Sequence, residues 1–342
     1  MGASYAKQRN FDFGAGKHDK VSRLSPWLRH RIITENEVLS ATLDHFNVRE
    51  AEKFIQEVFW RGYFKGWLEH RPDVWTYYKS DLVALVDRLD KDAGLAREYD
   101  AAVSGQTGIA CFDAWASELV ATGYLHNHAR MWFASIWIFT LKLPWQLGAD
   151  FFYRHLLDGD PASNTCSWRW VAGLHTIGKT YLARADNIEK FTAGRFAPHG
   201  QLATMANALE DPRPVSITAP KYANPDLVGR RVGLLVTEED CHPESLALLQ
   251  PEAVLVLNGI TPRSVLPLGE KSAIFAPDAL RHRAQSFEAH YRVDVSVQEG
   301  SEWSDILSDW IGTNDLEVCV TSHLQLGPVA RRTRRACQAA GI

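Results

Sequence analysis

Cysteine is too sparse and too scattered in this chain to organise a fold. The five present, Cys111, Cys166, Cys241, Cys319 and Cys337, are odd in number and form no CxxC pair. That excludes a disulfide framework and a cysteine zinc site, and it points to a reducing, cytoplasmic setting. Long apolar runs are missing as well. The longest, Met131 to Leu141, is too short to span a bilayer and no signal peptide opens the chain, so no membrane association is expected. An excess of one charge is also lacking. Residues 1–195 carry 24 Lys and Arg against 23 Asp and Glu, a net of +1; the remainder carries 13 against 18, a net of −5, which gives the overall −4. A bulk nucleic-acid charge is thereby excluded, though a local basic face is not. There is no GxGxxG, no P-loop, no internal repeat and no low-complexity tract.

What the chain has in excess is tryptophan, with ten of twelve before residue 171. Its 342 residues suit two domains at about 150 residues each. From Ser25 to about 190, apolar residues recur at three- and four-residue spacings, as in AEKFIQEVFWRGYFKGWL, FDAWASELVATGYL and HNHARMWFASIWIFTLKL, the last closed by Pro144. This pattern predicts an all-α unit over 1–195. The proline-rich text around DPRPVSITAPKYANPD marks 196–226 as a linker, with a short helix at 201–210. Beyond it, RRVGLLVT, EAVLVLNG, SAIFAP, VDVSV and LEVCVT read as strands, and helices are expected from about 243 and over 278–291, 302–311 and 327–339. The alternation predicts a small α/β unit with a parallel sheet over 227–342.

Four stretches of the front unit carry chemistry. In SRLSPWLR, Ser25 reads as an N-cap and Pro26 as the first helical residue, which makes either an anion site or a plain capped helix. In FIQEVFWRGYF, Glu57 and Arg61 stand four apart with Trp60 between them, an arrangement that also suits a surface ion pair. HNHARM sets polar side chains and Arg130 at the head of an apolar helix. DGDPASNTCSWRW, residues 158–170, has Asp160 as N-cap and Pro161 at the first helical position. Asn164 and Trp168 then share a face. An amide beside a large oxidisable ring asks for a flat, polar partner. In the rear unit His242, His282 and His323 read as loop or core residues, and Arg331, Arg332, Arg334 and Arg335 as a solvated helix end, so no metal is expected.

Taken in order, SRLSP, EVFWRGYF, the Gly105–Gly108 turn, HNHARM and DGDPASNTCSWRW resemble the FAD-binding helical domain of the photolyase and cryptochrome family, from Tyr5 to about Asn187. The resemblance implies FAD folded into a U and held by Tyr5, Ser22, Arg23, Leu24, Ser25 and Arg61. It implies Asn164 opposite the flavin N5, an Arg130–Asp158 ion pair beside the isoalloxazine, and Asp160 against the sugar and adenine side. Trp168 would be the first donor of an electron chain and Trp145 the second. Trp60 and Trp170 would flank the cavity for a flipped pyrimidine dimer, with Glu57, Asn127 and Met131 at the bases and Arg9 on a DNA phosphate. Extrusion of a dimer, eased by its weakened stacking, and aromatic walls to receive it suit such chemistry.

Departures from the family pattern accompany the match. The family's N-terminal antenna domain is expected to be absent, with the rear α/β unit in its space. The loop between Arg9 and Ser22 is about four residues longer, Val21 replaces a threonine, Cys166–Ser167 replaces two glycines, and VAGLHTIGKTYLARADNI follows Trp170 in place of the usual text. Ala102 stands where a third tryptophan belongs; Tyr99, Trp115 and Trp137 are candidates to replace it, Tyr99 first. The leading expectation is a light-driven repair lyase acting on pyrimidine-dimer DNA, single- or double-stranded. The alternatives are a cryptochrome-type blue-light photoreceptor and a flavoprotein without light chemistry. Oligomeric state is left open.

Overall fold

The computed structural model describes residues 1–220, 226–246, 250–258 and 262–341. Helices fill its front part: α1 (Ala3–Gln8), α2 (Ser25–Arg29), α3 (Glu35–Leu43), α4 (Val48–Glu69), α5 (Pro72–Lys91), α6 (Ala93–Val103), α7 (Ala110–Thr122), α8 (Asn127–Ser135), α9 (Trp145–His155), α10 (Pro161–Val171) and α11 (Ala185–Phe191). Local chemistry sets their ends. Asn47 and Glu50 form a reciprocal capping box at the start of α4, with the Glu50 amide donating to Asn47 Oδ1 at 3.0 Å and the Asn47 amide to Glu50 Oε2 at 3.2 Å. Asp160 caps α10 by accepting from the Ser163 amide at 2.7 Å, as its sequence predicts. After α8 the ladder loosens into a π turn, Ile136–Thr140, before Pro144 opens α9. The core between α5, α7, α8, α9 and α10 is aromatic, with Trp115, Trp132, Trp137 and Trp168 fully buried, which accounts for the front-loaded tryptophan.

Behind it lie β1 (Val232–Val236), β2 (Ala253–Leu257), β3 (Val295–Gln298) and β4 (Val318–Thr321) in one all-parallel sheet of order β3-β2-β1-β4. Four helices cover it: α12 (Glu270–Ala284), α13 (Phe287–Tyr291), α14 (Trp303–Thr313) and α15 (Pro328–Ala339). The two central strands are buried throughout, so they read as continuous apolar runs. Gly233 lets α14 close on β1, since a side chain there would collide with Trp310 and Leu316.

Three sequence expectations fail here. SAIFAP is not a strand but the middle of α12, because Ser272, Ala276, Leu280 and Ala284 form a buried stripe at helical spacing. The single helix expected over 278–291 is broken at 285–286 into α12 and α13. No helix forms at 201–210. That stretch is an extended strap whose amides bond the helical region instead of each other: Ala203 donates to Thr140 Oγ1 at 3.0 Å and Leu209 to the Ala172 carbonyl at 2.9 Å. Arg213 then clamps the strap through Asp81 at 2.7 Å. Of the helix expected from about 243, a 3₁₀ turn at Pro243–Ser245 is seen, and residues 247–249 lie outside the described ones. All five cysteines are free, and among the described residues no helix is long and apolar enough to cross a membrane.

Candidate cofactor site

Two elements meet at the site: the length of α4, and the loop between α9 and α10 that carries Asp158 and Asp160. The loop is fixed at Gly123, whose left-handed conformation (φ 68°) ends α7 and whose carbonyl accepts from the Leu157 amide at 2.9 Å. A Cβ there would meet Leu157 Cγ at 2.7 Å, so both backbone and space require glycine. On α4, Glu57, Arg61 and Lys65 recur every four residues and form one stripe, and α10 packs along this helix.

The Arg61–Lys65 end of the stripe is cationic and short of partners. Arg61 Nε and Nη2 are buried without a hydrogen bond, and Glu35 approaches Nε only at 3.8 Å. Burial pulls the Arg61 pKa down against the attraction of Asp160. Burial, with the repulsion of Arg61, pulls Lys65 down to about 8. Asp160 Oδ2 stands 3.9 Å from Lys65 Nζ and 3.6 Å from Arg29 Nε, ion-pair rather than hydrogen-bond distances. Burial alone would raise the Asp160 pKa, but Lys65, Arg29 and Arg61 outweigh it and hold the carboxylate ionised. Close by, Arg130 Nη1 donates to Asp158 Oδ2 at 3.0 Å and Arg130 Nε to the Leu125 carbonyl at 2.8 Å. Burial opposes ionisation of Asp158 too, and Arg130, with the Ser25 hydroxyl adding to the pull, lowers its pKa. Asp158 Oδ1 and Trp168 Nε1 are buried with no partner. Unmatched buried polar atoms of both signs, with the Arg61 guanidinium lacking a hydrogen bond at Nε and Nη2, fit a large polar anion such as FAD.

The remaining expected residues are distributed as follows. Tyr5 sits edge-on to Phe54 at 5.3 Å, Ser22 Oγ accepts from the Leu24 amide at 3.4 Å, Arg23 is exposed with φ 53°, and Leu24 rather than Ser25 is the N-cap of α2. Asn164 Nδ2 donates to the Ala149 carbonyl at 2.8 Å. Arg9 and Glu57 pair with each other, so Glu57 does not reach Arg61 as the spacing suggests. Trp60 is half exposed and packs edge-on to Tyr63 at 5.2 Å, whereas Trp170 stacks on Tyr181 at 5.5 Å. Asn127 is exposed and Met131 partly buried near the head of α8. Phe152 packs edge-on to Trp168 at 5.2 Å, and the tryptophan against Trp168 is Trp137, with centroids 6.2 Å apart; Trp145 lies against Tyr78 at 5.7 Å.

Sequence reasoning missed Lys65, although its place four residues after Arg61 was there to be read. It also missed Arg29 and its partner Glu239, 210 residues away, for which no local signal exists. A second buried polar cluster, Asp12, His18 and Glu118, has one ligand-type atom from each within 4.8 Å of the others. His18 Nε2 faces Glu118 Oε1 at 2.6 Å, and Asp12 already accepts from Gly14, Trp115 and Arg195. Those bonds tie down the lengthened loop before Ser22.

Comparison with known proteins agrees with this reading. Residues 54–203 match the FAD binding domain of DNA photolyase. The chain is 35% identical over 183 residues to a deoxyribodipyrimidine photo-lyase of Streptomyces griseus, covering 50% of this chain and 38% of that protein. It is 30% identical over 252 residues to a cryptochrome DASH, chloroplastic/mitochondrial, of Ostreococcus tauri, covering 72% and 42%. Among solved structures, a bacterial class III photolyase from Agrobacterium tumefaciens superposes with a TM-score of 0.47 at 28% identity, covering 56% of this chain and 39% of that one. The chain spans less than half the length of these relatives.

Proposed function

We propose that this chain, whose residues 54–203 match the FAD binding domain of DNA photolyase, belongs to the photolyase/cryptochrome family and is a light-driven DNA repair flavoprotein that splits pyrimidine dimers. The observation that carries the proposal is the double use of α4. Arg61 and Lys65 give it a cationic stripe short of partners, and Trp60 stands exposed about 100° around the same helix from Arg61, with the exposed Phe59 and Tyr63 farther round on the face opposite the cations. Bound FAD supplies light-absorbing one-electron chemistry. Arg61 and Lys65 would hold its phosphates, Asp160 its sugar hydroxyls, and Arg130–Asp158 and Asn164 the flavin edge. Trp60, with Tyr63 behind it, would stack an extruded base, and the Arg9–Glu57 pair beside Tyr5 would open toward phosphate and lesion. Residues 1–195 would form the catalytic unit, 196–226 the strap and 227–342 the accessory α/β unit.

One observation favours the photoreceptor alternative. Trp170, the other expected stacking wall, is occupied by Tyr181, and His175 of the same unusual segment lies 4.4 Å from the Trp67 ring. Illuminating the FAD-loaded protein with a dimer-containing oligonucleotide and assaying restored thymines separates the two. Repair predicts light-dependent restoration. Intact FAD photoreduction with no restoration would leave the photoreceptor reading.

A further inference from the structure

Among its contacts with the surroundings of the cofactor site, the α/β region grips one buried side chain of the helical region, Arg29 of α2. Its Nη1 and Nη2 donate to Glu239 Oε2 and Oε1 at 2.8 and 2.7 Å, and its Nε donates to the Gly159 carbonyl at 2.9 Å. The same Nε lies 3.6 Å from Asp160 Oδ2. Arg29, Glu239 and Asp160 are 2%, 8% and 1% exposed, so water does not screen the competition between the two carboxylates. We propose that the α/β region governs the cofactor site through this competition: Glu239 draws Arg29 off Asp160 and so keeps that carboxylate open to the cofactor's hydroxyl groups. This rests on Asp160 being a cofactor contact.

The surroundings are built for such a role. Glu239 belongs to the segment leaving the carboxyl end of β1, between its neighbours β2 and β4, the position where open parallel sheets ordinarily bind ligands. Here the position is filled by the basic turn of the helical region. His30 Nδ1 meets the Glu238 carbonyl at 2.7 Å, Arg31 Nε donates to Asp240 Oδ1 at 3.0 Å, and the Cys241 amide donates to the His30 carbonyl at 2.8 Å. Arg263, also from the α/β region, donates to the Leu156 and Tyr153 carbonyls at 2.9 and 3.2 Å and lies so close to Gly159 that a Cβ there would be 2.5 Å from its Nη1. The Asp158–Asp160 loop is thus held from behind by groups of the other region. An Arg29 freed from Glu239 has both Nη groups without their acceptor while its Nε, on the Gly159 carbonyl, stays 3.6 Å from Asp160 Oδ2, which leaves Asp160 the nearby carboxylate to take them; a carboxylate so engaged has lost acceptor capacity.

The test is a set of four full-length variants, with FAD affinity measured by titration of the cofactor-free protein and its thermal unfolding recorded in parallel. Glu239→Gln is expected to weaken FAD binding about tenfold, which corresponds to ~1.4 kcal/mol. Arg29→Gln/Glu239→Gln is expected to restore affinity to wild type or above, even with a lowered melting temperature, because the competing cation is gone. A double variant that binds FAD as weakly as Glu239→Gln would overturn the proposal and leave the pair a plain structural contact. Asp160→Asn tests the underlying reading: unchanged FAD affinity there means Asp160 is not a cofactor contact. Weakened binding in Asp160→Asn together with unaltered binding in Glu239→Gln refutes the competition alone. Should Glu239→Gln fail to fold, the double variant with and without Asp160→Asn decides, since a structural contact predicts weaker binding than wild type and the competition does not.

Discussion

Trp168 meets Trp137 at a right angle, ring planes at 90° and centroids 6.2 Å apart, and Trp137 in turn meets Tyr99 edge-on at 6.2 Å. Tyr99 accepts from Arg154 Nη2 at 3.2 Å and lines a pocket of about 320 Å³ shared with His155, Leu266 and Pro267. A continuous run of oxidisable rings therefore leads from the α10 face to a pocket, and it goes through Trp137. The buried Ala102, where the family's third tryptophan is expected, has no ring to contribute.

For electron supply, Trp168→Phe should abolish light-driven flavin reduction in the presence of an external thiol. Trp137→Phe should slow it more than Trp145→Phe, and Tyr99→Phe should slow it measurably. Transient absorption after a flash reads each rate. Wild-type rates in Trp137→Phe with severe loss in Trp145→Phe would return the path to the family's order.

The contact of the two tryptophans depends on Gly148. A Cβ there would lie 2.7 Å from Trp168 Cζ3 and 2.8 Å from Trp137 Cε2, and neither buried ring has room to retreat. Gly148→Ala should cost about 1–3 kcal/mol of stability by overpacking, despite the better helix propensity of alanine. Denaturant unfolding measures it.

Lys65 gives the site a pH dependence. Its pKa, pulled to about 8 from an ordinary 10.5 by burial, means that between those values the unfolded chain carries a proton that the folded, cofactor-free protein has shed. Stability of the cofactor-free protein should therefore rise with pH across that window. FAD affinity should fall across it, because the pyrophosphate needs the ammonium. Lys65→Met should bind FAD more weakly at pH 7 and lose the decline above pH 8; titrations at several pH values check both.

On the DNA side, Trp60→Ala should weaken binding of dimer-containing oligonucleotide by about 1–3 kcal/mol for the base it stacks, with flavin content unchanged. Trp170→Ala should cost less, since its ring is already engaged by Tyr181. Equal binding by wild type and Trp60→Ala, measured by fluorescence anisotropy, would count against the repair reading.

The sequence by itself determined the classes of element and most of their starts, because these depend on neighbours a few residues apart. Asp160–Pro161 had to open a helix, and the apolar runs at 232–236 and 253–257 had to be buried strands. Ordered motifs also gave the resemblance to an FAD-binding domain, and residues 54–203 match the FAD binding domain of DNA photolyase. Where local signals competed with long-range partners, tertiary structure decided. SAIFAP has β-favouring residues, yet its buried stripe follows the helix period; the 201–210 stretch gave up a helix for bonds to Thr140 and Ala172. Glu57 chose Arg9 over the closer-spaced Arg61, Trp168 took Trp137 as its neighbour, and Arg29 found Glu239 across 210 residues. Charge and ring contacts act through space, within a few ångströms, and spacing along the chain records them only when both partners sit on one helix.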